Sequence, residues 1–182
     1  MSEHLAWAQW WACPLRGAHP DWQVAGAPSL PTSLQRSHPA QVNALFQIHP
    51  CLPPFPSPAL LQLLHATGEQ RELMLMLIKG VYHASPDSLL SQEQQLWCRR
   101  LAKALAPSPT LDASDDPLHY LRAWVEPAVW QRLRLSFARE RVLALETHPR
   151  LSDSHSRLNT LWQAALWRVT GAAHDTAQHA LP

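Results

Sequence analysis

The sequence predicts an all-α protein: a compact multi-helix bundle of about seven or eight helices behind a proline-rich, partly irregular N-terminal flank. Three observations carry this expectation. Leu occurs 30 times and Ala 25 times in 182 residues, while Val and Ile together occur 9 times. Leu and Ala lose little side-chain freedom in a helix, whereas a pleated sheet favours the β-branched residues that are scarce here. The 17 prolines are unevenly spread, ten of them at or before Pro58. Proline breaks helix interiors but suits their first turn, so helices must lie between prolines or start at them.

Taken in order, Ser2 caps a helix over residues 3–13 that holds Leu5, Trp7, Trp10 and Trp11 and stops at Pro14. Residues 14–36 lack a sustained period and read as an extended loop. Pro39 starts a second short helix, and the prolines from Pro50 to Pro58 forbid helix and central strand alike. Residues 1–58 therefore read as a flank, 59–171 as a helical core domain and 172–182 as a disordered tail.

Within the core, Ser57-Pro58 starts a helix with Leu60, Leu61 and Leu64 inward, ended by Gly68. The next helix, Glu69 to His83, is apolar on all sides at Leu73–Ile78 and belongs at the centre of a bundle. Ser85-Pro86 starts another that runs to Ala106, with a break near the capping box Ser91…Gln94 and an apolar face of Leu96, Trp97, Leu101, Ala104 and Leu105. Asp116-Pro117 opens a helix over Leu118–Val125, and Pro127 another over Ala128–Phe137. Arg139–Glu146 continues or restarts it. The last helix, Arg157–Thr170, is capped by Asp153 or Ser154, turns Leu158, Leu161, Trp162, Ala165, Leu166 and Val169 inward, and ends at Gly171.

Composition also bounds function. The net charge is +1 and 16% of residues are charged, so non-specific nucleic-acid binding is not expected. The start lacks a basic region ahead of an apolar one, and no apolar run approaches the ~18 residues of a membrane span. Three widely spaced cysteines, Cys13, Cys51 and Cys98, suit reduced thiols in a cytosolic protein.

Each common catalytic device is missing. Five dispersed glycines form neither a phosphate loop nor a nucleophile elbow. The 11 histidines are scattered, there is no HExxH, CxxC or EF-hand spacing, and no metal or other cofactor is expected. Asp153, Ser154 and His155 are neighbours at a helix start and read as a cap, not a triad. Asp115-Asp116 also reads as a cap before Pro117. Cys98 lacks an activating partner and reads as a small buried residue.

The remaining chemistry is aromatic and cationic. Trp97, Trp124, Trp130, Trp162 and Trp167 fall in helical stretches and read as core or inter-helix wedges. Trp7, Trp10, Trp11 and Trp22 lie in the flank, where they pin it to the core or meet a partner. The stretch 132–141 carries a net charge of +3. It is either a solvated helix face or a basic patch of Arg132, Arg134, Arg139 and Arg141 that docks an acidic protein surface.

The stretch 96–145 carries three motifs: Trp97-Cys98-Arg99-Arg100-Leu101, Leu121-Arg122-Ala123-Trp124 and Trp130-Gln131-Arg132-Leu133-Arg134-Leu135. In these it resembles the YscK/SctK family of type III secretion accessory proteins. The resemblance implies a non-enzymatic cytoplasmic adaptor at the cytoplasmic face of the inner membrane. It would link the cytoplasmic domain of the ring protein SctD to the pod protein SctQ, and through it reach SctL and the ATPase SctN. Neither a nucleic-acid partner nor direct membrane insertion is expected. A helical nucleic-acid-binding regulator is the alternative from another class, and an uncharacterised enzyme a third.

Overall fold

A computed structural model describes residues 3–22, 39–85, 88–106, 111–151 and 155–178. Among these residues all regular structure is helical, as the composition requires. The nine α-helices among the described residues are α1 Glu3–Ala12, α2 Pro39–Leu45, α3 Pro58–His65, α4 Gly68–Tyr82, α5 Gln92–Leu105, α6 Leu118–Trp124, α7 Pro127–Leu133, α8 Arg139–Glu146 and α9 His155–Gln178. Three 3₁₀ turns, Pro14–Gly17, Pro20–Trp22 and Arg134–Ser136, join them. No helix among the described residues is long and apolar enough to cross a membrane.

The chain divides into two units, Met1–Pro56 with Val125–Arg150, and Ser57–Trp124 with Leu151–Pro182. The N-terminal segment of the first unit ends at Pro56, and residues 59–171 are divided between the two units. Residues 125–150 pack with the flank instead, and the side chains that hold them there are described below.

In the first unit every helix among the described residues is short. Pro14 stops α1 and opens a 3₁₀ turn, so the stretch read as an unbroken loop begins with two tight turns; residues 23–38 lie outside the described residues, as does the capping Ser2. Pro39 begins α2, which ends in a left-handed residue, Gln47, with φ 53°. The Ile48 N–H turns back to the Asn43 carbonyl at 2.9 Å, which directs Phe46 and Ile48 into the interior. Residues 49–56 form neither helix nor strand. Pro127 opens α7, whose expected run to Phe137 tightens to 3₁₀ after Leu133. The chain then restarts as α8.

In the second unit local capping sets the boundaries. The Ser57 hydroxyl accepts from Leu60 N at 3.2 Å and starts α3, with Leu63 rather than Leu61 or Leu64 fully inward. Gly68 does not close this helix. Ala66 does, and a full capping box between Thr67 and Gln70 makes Gly68 the first residue of α4. Arg71 then reaches back to the Leu63 and Leu64 carbonyls at 3.3 and 3.2 Å, satisfying the end of α3 with a cation. Met74, Leu75, Leu77 and Ile78 of α4 are fully buried, in line with its central position.

The box Ser91…Gln94, not Ser85, starts α5; Pro86 lies outside the described residues. The expected apolar face of α5 is only half used. Cys98 is its fully buried residue, while Leu96 and Ala104 are exposed and Trp97, Leu101 and Leu105 half-buried. The Asp116 carboxylate accepts from Leu118 N at 2.8 Å and starts α6.

All six residues assigned to the inner face of α9 are buried. Gly171 does not end that helix: a Cβ there would meet nothing within 4 Å, and the alanine-rich sequence after it continues helical to Gln178. The helix thus extends past the expected boundary at Gly171; residues 179–182 and the caps Asp153 and Ser154 lie outside the described residues. Trp124 stacks on the fully buried Trp162 at 5.1 Å and donates to Asn159 Oδ1, and Tyr82 stacks on Tyr120 at 4.2 Å.

Candidate interaction site

The richest chemistry lies in the first unit, around the tryptophans of α1. Trp7 and Trp11 are one helical turn apart and share the buried face; Trp10 stacks on Trp7 at 5.2 Å. An indole N–H buried without an acceptor is costly, and both find backbone oxygens in the proline-rich segment. Trp7 Nε1 donates to the Pro54 carbonyl at 3.0 Å and Trp11 Nε1 to the Cys51 carbonyl at 3.1 Å. Trp22 donates to the Phe137 carbonyl at 2.8 Å and meets Phe46 edge to face. Of the two expectations for these tryptophans, pinning the flank or meeting a partner, Trp22 fits the first by reaching Phe137, whereas the indole N–H groups of Trp7 and Trp11 bond within the flank itself.

The four candidate partner-binding arginines separate into two pairs. Arg132 and Arg134 are buried, with only 3% and 5% of their surface exposed. Arg132 lies 3.8 Å over the Trp11 ring and donates to the carbonyls of Trp11 at 3.3 Å and Ala128 at 3.1 Å. Burial lowers its guanidinium from the usual arginine value, and nearby Cys51 opposes that shift. Arg134 pairs with Glu146 at 2.6 Å and donates to the Phe46 carbonyl at 2.6 Å. The other Glu146 oxygen accepts from Trp130 Nε1 at 2.7 Å. A guanidinium offers five donors in a flat fork, which suits carbonyls and a carboxylate around a buried plane.

Arg132 and Arg134 therefore do not belong to an exposed docking patch. They hold the flank to residues 125–150. Arg139 is exposed, 6.0 Å from the Trp22 ring centre, and Arg141 is half-buried, 5.9 Å from that of Phe137. Only this second pair faces outward enough to meet a partner. The alternation Arg-Leu-Arg-Leu invites a reading with leucines in and arginines out. It fails because the change from α to 3₁₀ at Arg134 breaks the single-face register, and the flank covers the side that would otherwise face water.

The second unit offers less chemistry. A cavity of about 280 Å³ between α4 and α5 is lined by Gly80, Leu90, Gln95, Cys98 and Arg99, among others. Cys98 Sγ contacts the Leu77 carbonyl at 3.4 Å, and burial pushes its thiol up to about 11. Such a thiol stays protonated at neutral pH and is a poor nucleophile. Among the described residues no group of three or more His, Cys, Asp or Glu could hold a metal ion. Asp115 and Asp116 both accept backbone N–H groups, from Asp112 and Leu118, as a turn and cap pair does. His119 is buried, an exception to the surface or helix-end positions expected of the histidines.

Of the helical tryptophans, Trp130 and Trp162 are buried, whereas Trp167 is 74% exposed on α9 and is no core wedge. The extended run from Pro50 also leaves Leu52 and Phe55 in solvent. Neither exposed residue stood out in the sequence; the prolines around Leu52 and Phe55 were the available signal. No protein-family model, curated protein or solved structure matches the chain.

Proposed function

We propose that the chain is a non-enzymatic cytoplasmic adaptor of a bacterial type III secretion system, joining the cytoplasmic domain of SctD to SctQ. The observation that carries this reading is an all-helical chain in two units, each with its own buried aromatic residues and its own exposed large apolar side chains. An adaptor needs rigid elements that present separate surfaces to two partners. The motifs of residues 96–145 supply the identity of those partners, with SctL and SctN reached indirectly. The buried state of Arg132 and Arg134 weighs against the nucleic-acid alternative, because it removes two cations from the most basic stretch.

Purified protein mixed with the SctD cytoplasmic domain, with SctQ and with both tests the reading. It expects two binary complexes and one ternary complex. Failure of either protein to bind would sink it.

A further inference from the structure

Residues 50–56, Pro-Cys-Leu-Pro-Pro-Phe-Pro, form neither helix nor strand, yet their conformation is narrow. Each proline ring holds φ near −65°. Each residue before a proline is kept out of the helical region, and Leu52, Pro53 and Phe55 all stand there. Ser57, also before a proline, has φ −72° and ψ 152°, the values of polyproline II. That helix has three residues per turn, so residues 51 and 54 share one side and 52 and 55 another.

The contacts follow this register. Cys51 and Pro54 give their carbonyls to the indoles of Trp11 and Trp7. Leu52 and Phe55, each one residue further on, are 89% and 99% exposed. Two large apolar side chains are thus aligned on a backbone already held in place, so little ordering cost remains to be met on binding.

We propose that the Leu52–Phe55 edge of this pinned segment is a polyproline-type ligand for an aromatic-lined groove on a protein partner. Four of the seven residues are prolines without an N–H, which disfavours addition to the edge of a sheet. Proline-rich segments are instead recognised by grooves of aromatic side chains. The α1 indoles already bond the carbonyls of this segment. Because they are engaged by the segment of their own chain, a second copy is a poor candidate for the groove. The identity of the partner as SctD or SctQ rests on the adaptor reading above.

The test is calorimetric titration of the full chain and its L52S/F55S variant against the purified SctD cytoplasmic domain and against purified SctQ. Both substitutions lie in solvent, so the variant keeps the wild-type circular dichroism and melting temperature. The expected result is a loss of about tenfold or more in affinity for one partner. A W7F/W11F variant keeps an aromatic ring at each position and loses the two donors to the segment; it gives a smaller loss of affinity. Unchanged affinity of L52S/F55S for both partners overturns the ridge and leaves the adaptor reading intact. If the wild-type chain binds neither, the adaptor reading falls and takes the ridge's partner with it. Self-association of the wild type that the variant loses in sedimentation assigns the edge to a second copy and also overturns the proposal.

Discussion

In the unit of Ser57–Trp124 and Leu151–Pro182, helices of 15 and 24 residues bury apolar faces, and the 14-residue α5 buries Cys98 fully against them. In the unit of Met1–Pro56 and Val125–Arg150 no α-helix among the described residues exceeds 10 residues. Short helices have little apolar face to bury, and isolated helices of that length are marginal in water. This unit is held instead by indole and guanidinium groups that donate to backbone carbonyls across long stretches of sequence. One unit relies on the volume of its core, the other on the pairing of buried donors. The two should therefore fail differently.

The largest effect is expected where volume matters most. Trp162→Ala empties the fully buried centre of α9 and should cost about 4 kcal/mol. Urea unfolding measures it, and a loss under about 1 kcal/mol would show that the core of this unit is loosely packed. Next is Arg134→Met, which leaves the half-buried Glu146 carboxylate without its cation and the Phe46 carbonyl without its donor, and should cost about 2 kcal/mol. Adding Glu146→Gln should recover part of that loss, because the amide oxygen still accepts from Trp130 and carries no charge. If the second substitution deepens the loss, pairing is not what holds this unit.

A smaller effect separates the units by pH. The Cys98 thiol is pushed from an ordinary value of 9 up to about 11 by burial. The folded chain thus favours the protonated thiol, so this contribution to stability is complete below about pH 9 and is lost as pH rises through about 11. Cys98→Ala should flatten the alkaline limb of a melting-temperature profile, and an unchanged limb would show that burial of this thiol does not set it. The smallest effect is Ser91→Ala, which removes half of a capping box and should cost about 1 kcal/mol. A loss of helical circular dichroism well beyond one turn would mean that the box nucleates α5 rather than trimming it.

The same contrast governs how much was legible beforehand. The helix starts at Ser57, Asp116 and Pro127 are written within four residues of sequence and lie where the structure has them, whereas the capping box at Ser91, read as a break in a helix begun at Ser85, is the start of α5. Gly68 misled because glycine suits a helix end, while Thr67 and Gln70 form a start signal that outweighs it. The α5 face misled because periodicity identifies a stripe without saying that a neighbour covers it. The basic stretch misled most, since charge alone speaks for solvent.

What the sequence by itself determined is the fold class, most helix starts and the inner face of α9. These depend on propensity, caps and spacing, all of which act over a few residues. The tertiary structure decided the partition into two units, the burial of Arg132 and Arg134 and the exposure of Phe55. Arg132 finds its carbonyl at Trp11, 121 residues away, and Arg134 finds Phe46, 88 residues away. No local pattern encodes such a partner. A buried cation is tolerable only where distant oxygens arrive to receive it, and only the folded chain brings them there.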